Sequence, residues 1–167
     1  MYKLFFSITC FMLAFPSLAN EEWSTMSYFW GQDNQLEASV WLKNKNDPSS
    51  EQVISSFIAH STNGTQNIYF MARFVNDYNM CNVNDTNDGI FKIDNQAVKA
   101  YVWCKKFSDS SKYYLQMTAE TNKGQQYIVD RFKKATKYVR FEFNGISVNI
   151  PAKGFTHIWN NAGGNAI

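Results

Sequence analysis

Apolar and polar residues alternate with a period of two along most of this chain, the spacing of strands that bury one face. Leu36, Ala38, Val40 and Leu42 alternate with Glu37, Ser39, Trp41 and Lys43. Asn44 to Ser50, which contains an Asp-Pro step, reads as a loop. "VISSFIAHST" and "NIYFMARFV" follow, joined through Thr62-Asn63-Gly64-Thr65. Asn-Gly between two β-rich runs is a strong hairpin signal, because both residues tolerate the positive φ of a tight turn. "AVKAYVWC" and "KYYLQMTAE" form another pair across the polar stretch from Lys105 to Ser111. "YVRFEFNGISVNI" is the clearest hairpin. Val139, Phe141 and Phe143 alternate before Asn144-Gly145, Ile146, Val148 and Ile150 alternate after it, and Pro151 stops the strand.

The period changes to that of a helix once. Ile128, Val129, Phe132 and Ala135 recur at helical spacing, with Lys123, Arg131, Lys133 and Lys134 on other faces. Asn122 with Gln125 three residues on reads as a capping box, so a helix is predicted near 122–136. "KGFTHIWNNAGG" adds one short helical turn at the end. Seven or eight strands and one real helix predict a mostly β fold, with α+β as the neighbouring class. The expected architecture is an antiparallel sheet or sandwich, one face covered by that helix, in a single domain over residues 20–167. The closing order of helix, Asn144-Gly145 hairpin and Gly154-Phe155 resembles that of the bacterial invasion-associated exported protein family, over about 40 residues. No residue with chemistry takes part in the resemblance, and it implies nothing about activity.

The N-terminal end points to export. Met1, Tyr2 and Lys3 make a positive start, Leu4 to Phe15 is apolar apart from Ser7 and Thr9, and Pro16 breaks the run. Ser17-Leu18-Ala19 supplies the small residues a signal peptidase needs, so residues 1–19 are expected to be cleaved after Ala19. The apolar run is shorter than the roughly 20 residues that span a bilayer, and no later segment reaches that length. The mature chain is expected in the periplasm or secreted, without a membrane span. Cleavage removes Cys10 and leaves Cys81 and Cys104, an even pair in an oxidising compartment, which predicts one disulfide.

Charge changes the picture only in its distribution. Residues 20–98 carry four basic and ten acidic groups, whereas residues 99–167 carry eleven basic and four acidic. Either the basic half meets an anionic surface or acidic partner, or the two halves interleave in one fold, which is the simpler expectation. A net charge this close to zero does not suit nucleic acid.

Candidate chemistry is sparse. The stretch "CNVNDTNDGI" from Cys81 to Ile90 crowds amides and carboxylates ahead of a glycine. An EF-hand loop needs Asp first and Glu twelfth; Asn84 and Asn95 stand there instead. An oxygen cage from Asp85, Asp88 and Asp94 is the other metal reading. The expectation is instead a polar excursion stapled by the disulfide, with Asp88-Gly89 as its turn, a second turn at Asp94-Asn95, and no metal or cofactor. His60 and His157 each stand alone, and no nucleophile elbow or phosphate-binding glycine loop occurs. Aromatic residues remain. Trp41, Tyr69, Tyr101, Trp103 and Tyr114 fall out of phase with the core positions of their strands. They therefore point to the opposite face, where they can grip a protein or stack on a sugar, unless a second layer covers them.

These features predict a non-enzymatic exported binding protein, such as an inhibitor, an immunity-type protein or an accessory envelope factor. Its partner would be another exported protein or an envelope glycan. An envelope hydrolase using paired carboxylates and a surface or adhesion subunit are the competing expectations.

Overall fold

A computed structural model of the chain describes residues 23–47, 50–74, 81, 86–108 and 112–162. The expected leader lies outside the described residues. Among these residues nine strands and two α-helices run in the order β1 (Trp23–Tyr28), β2 (Glu37–Asn44), β3 (Glu51–His60), β4 (Gln66–Phe74), β5 (Thr86–Ile93), β6 (Gln96–Lys106), β7 (Tyr113–Ala119), α1 (Asn122–Lys134), β8 (Tyr138–Phe143), β9 (Ile146–Pro151) and α2 (Phe155–Asn161). All the strands belong to one antiparallel sheet, ordered β1-β2-β3-β4-β7-β6-β5-β8-β9. Its edge strands approach across a recess lined by Thr25 and Ser27 on one side and Val148 and Asn149 on the other, so the sheet nearly closes on itself. The fold is thus a single curled sheet rather than a two-sheet sandwich, mostly β as the alternation predicts.

The inner face is the set of in-phase positions. Ala38, Val40, Ile54, Ile58, Ile68, Phe70, Ala72, Val98, Ala100, Val102, Met117, Val139, Phe141, Val148 and Ile150 are all buried in one cluster. Phe70, Phe91 and Phe141 meet at its centre with ring centroids 4.7–5.5 Å apart. Helix α1 adds Ile128, Val129 and Phe132 to the same cluster, so it covers the sheet as its apolar stripe requires. Beside it, Trp30 is edge-on to Phe132 and Phe155, at 5.6 and 5.0 Å. Gly154 makes that packing possible: its φ is +87°, and a Cβ there would lie 2.2 Å from the Trp30 carbonyl oxygen.

Four details depart from the sequence expectations. The ninth strand, β1, carries no apolar period because it is an edge strand with four exposed residues in its middle. Leu36 precedes β2 and is 46% exposed, outside the core that its spacing suggests. The helix is capped one residue earlier than the Asn122–Gln125 box. Thr121 is the N-cap and its hydroxyl accepts from the Gly124 N–H at 3.1 Å. Gln125 is occupied elsewhere, as shown below.

Asp88-Gly89 is the fourth departure, because it is not a turn. Both residues lie within β5, where Gly89 pairs with Ala100. A Cβ on Gly89 would sit 2.6 Å from Val102 Cγ2, so this glycine serves a close side-chain approach rather than positive φ. The β5–β6 turn is made by Asp94 (φ 47°) and Asn95 (φ 69°), as Asn144 and Gly145 make the β8–β9 turn.

The acidic and basic halves of the chain interleave. β4 pairs with β7 and β5 with β8, and ion pairs Arg131–Asp94 and Lys92–Glu142 tie the halves together. Cys81 and Cys104 form the expected disulfide, with Cα atoms 5.7 Å apart.

Candidate functional site

The strand register places the out-of-phase residues in rows on the outer face. One row runs Tyr28, Ser39, Ser55, Met71, Gln116, Trp103, Thr86 across seven strands. The next runs Glu37, Phe57, Tyr69, Thr118, Tyr101, Asp88. Cross-strand partners share a face, so all these side chains stand opposite the core.

Of the five aromatic residues singled out by phase, three come together. Tyr69, Tyr101 and Trp103 line an open cleft of about 450 Å³ at the end of the sheet where α1 begins. Tyr101 and Trp103, two residues apart on β6, form a tilted pair 6.0 Å between centroids. Tyr69 stacks on Phe57 at 5.6 Å and is only 9% exposed, so it serves as floor. Tyr101 is 39% exposed and forms the rim.

The other two stand apart. Trp41 meets Tyr28 edge-on and lies 5.2 Å beneath the Arg73 guanidinium, while its indole N–H donates to Ser39 Oγ at 3.2 Å. Arg73 in turn pairs with Glu51 at 2.6 Å. Tyr114 packs on Phe107 at 4.6 Å. Both residues are half-buried in local contacts, outside the cleft.

The cleft exists because the β4–β7 ladder stops at Tyr69 and Thr118. Beyond that pair the strands part, and the Gln125 side chain from α1 closes the gap. Its Oε1 accepts from the Ile68 N–H at 3.3 Å and its Nε2 donates to Thr118 Oγ1. Thr118 Oγ1 donates in turn to the Ile68 carbonyl at 2.8 Å. The polar floor is therefore fixed by a helix side chain. The β3–β4 loop forms one wall, with Asn63 Oδ1 accepting from Thr65 N–H at 3.1 Å and from Ser61 Oγ at 2.5 Å. The turn between β7 and α1 forms the other, through Glu120, Thr121 and Asn122.

The amides and hydroxyls of this cleft escaped the sequence reading, although the signal was present. Gln116 and Thr118 are out of phase with Leu115, Met117 and Ala119 in the same way as the aromatics. Polar residues on an outward face are the ordinary case, so phase alone does not mark them.

The two described acidic candidates do not come together. Asp85 lies outside the described residues. Asp88 is exposed on β5, and five residues of strand lie between it and Asp94, a rise of roughly 20 Å. Asp94 is already bound. Its Oδ2 accepts from Arg131 Nε at 2.7 Å and Nη2 at 2.6 Å, and its Oδ1 accepts from the Arg140 N–H at 2.9 Å. Among the described residues no group of three or more His, Cys, Asp or Glu side chains is placed to hold a metal ion. His60 lines the cleft, and His157 lies on α2. Glu37 stands beside Phe57 in the outer row, and burial pushes its carboxyl above the ordinary range. No helix among the described residues is long and apolar enough to cross a membrane.

Comparison with protein-family models, curated proteins and solved structures returns no match for this chain. The chemistry of the cleft is therefore the ground for a functional reading.

Proposed function

We propose that this chain is a non-enzymatic, exported binding protein of the bacterial envelope, which holds its partner in the cleft bounded by Tyr69, Tyr101 and Trp103. An inhibitor, an immunity-type protein and an accessory envelope factor all fit this reading. The leader pattern and the disulfide support export. The observation that carries the binding reading is the convergence of three out-of-phase aromatic side chains on one recess. Its volume falls within the range of small-ligand sites, about 300–1,000 Å³. The described lining residues include one acid, the exposed Glu120. The pair of carboxylates that glycoside hydrolysis uses is thus not assembled from them.

Co-sedimentation of the mature chain with isolated envelopes tests the reading. Binding should saturate, and Tyr101→Ala with Trp103→Ala should weaken it at least tenfold while the thermal melt stays cooperative. Absence of binding, or equal binding by the double variant, would remove the proposal.

A further inference from the structure

The cleft shows more than a place for a partner; its lining specifies a chemical class. We infer that its ligand is a neutral glycan, an inference that rests on the binding reading above. A pyranose ring presents hydroxyls around its equator, each of which donates and accepts. It also presents patches of C–H on its faces. A matching site needs side chains that donate and accept, together with flat aromatic rings whose negative faces attract polarised C–H groups.

Both parts are present. The side-chain amides of Asn67, Gln116 and Asn122 line the cleft and make no hydrogen bond among the described residues. Asn67 and Gln116 are half-buried, and partners from a ligand would offset the cost of covering them. Beside them, the Tyr101–Trp103 pair supplies adjacent ring faces on one strand. The site is also preorganised, because the Gln125–Thr118–Ile68 bonds hold the floor before any ligand arrives.

Charge and shape point away from other ligands. Among the described lining residues, Lys105 and Glu120 are the two side chains of full charge, and they are opposite in sign. A phosphate or an anionic headgroup is better served by clustered cations. A protein partner is better served by protruding apolar anchors. Among the described residues, the large exposed apolar side chains Met26, Phe29, Leu36, Ile90 and Tyr138 lie outside the cleft, and Tyr101 alone of that set lines it. A concave recess with balanced donors and acceptors fits a short stretch of neutral sugar.

The experiment uses envelopes of the exporting cell in three forms: intact, exhaustively digested with protease, and reduced to vesicles of their extracted phospholipid. Binding that persists after protease digestion and is absent on the vesicles supports the glycan. Binding lost on digestion, or transferred to the vesicles, overturns the glycan and leaves the binding reading standing. No binding to any form defeats both readings. With the glycan released from digested envelopes, calorimetric titration should show Kd raised at least tenfold by Trp103→Ala and severalfold by Gln116→Ala. Trp103→Phe, which keeps a ring, should recover part of the loss. The affinity should hold steady between about 0.05 and about 0.5 M salt, because screening acts on charged partners and not on neutral ones. A marked fall with salt, or unchanged affinity in both Ala variants, would overturn the assignment.

Discussion

Asp94 shows how one side chain can serve as a joint. It occupies a positive-φ turn position, its backbone N–H donates to the Arg140 carbonyl, and its carboxylate accepts from both Arg131 and the Arg140 N–H. The turn between β5 and β6 is thereby tied to α1 and to β8. Asp94→Ala should cost about 1–3 kcal/mol in urea unfolding, since it removes charge-assisted bonds and places Ala at positive φ. Asp94→Asn should cost less, because Asn tolerates that backbone and keeps an acceptor. Equal losses would show that the ionic contact, and not the turn, dominates. Glu37 is a group with the opposite character. Its folded pKa is raised, so its protonated form suits the folded state. Any stability it contributes is fully present below the pKa of the unfolded chain, and it is lost as pH rises through the folded pKa. Glu37→Gln should accordingly stabilise the protein at pH 7, and the gain should vanish in acid, where both side chains are neutral. Melting temperatures of the two proteins across that range check it. A gain independent of pH would mean that desolvation of the charge is not the cause.

At the scale of single elements, the glycine in β5 has a use that its sequence neighbours disguise. Asn-Asp-Gly usually marks a turn, yet here Gly89 faces the stiff, β-branched side chain of Val102. Gly89→Ala should cost about 1–3 kcal/mol through overpacking, and pairing it with Val102→Ala should recover much of that loss. Thermal melts of the single and double variants measure this; no recovery would place the strain in the backbone instead. The same element shows where sequence reading succeeds and where it stops. Phase predicted the buried positions of β6 and β8, because one-sided burial imposes a period of two. It missed β1, whose residues are solvated on both sides, and it misplaced the helix cap by one residue. Thr121 and Asn122 are both competent caps, and the residue types alone do not choose between them. The aromatic rim was visible as a phase violation on single strands. The cleft was not, because it depends on β4 and β7 parting beyond one residue pair.

The whole molecule is held by pairings between strands far apart in sequence. β4 beside β7 and β5 beside β8 bring the acidic and basic halves into one curled sheet, an order that no local pattern predicts. The disulfide acts on that scale, joining residues 23 positions apart across the entry to β5 and the β5–β6 hairpin. Closing a loop of that length should contribute roughly 3 kcal/mol, through the freedom it denies the unfolded chain. Comparing the oxidised chain with the same chain reduced and kept under thiol isolates this effect, because no side chain is replaced. Cys104 is buried on β6 between Val102 and the end of the strand, and its reduced thiol packs as a small apolar group. The folded state should therefore keep its near-ultraviolet signal, to which the neighbouring Tyr101 and Trp103 contribute, while the urea midpoint falls. The denaturant slope should rise at the same time, because the uncrosslinked chain unfolds to a more open ensemble with more surface exposed. A lower midpoint with a lost aromatic signal would show instead that the bond holds the cleft in shape, and glycan binding would then fall with reduction as well.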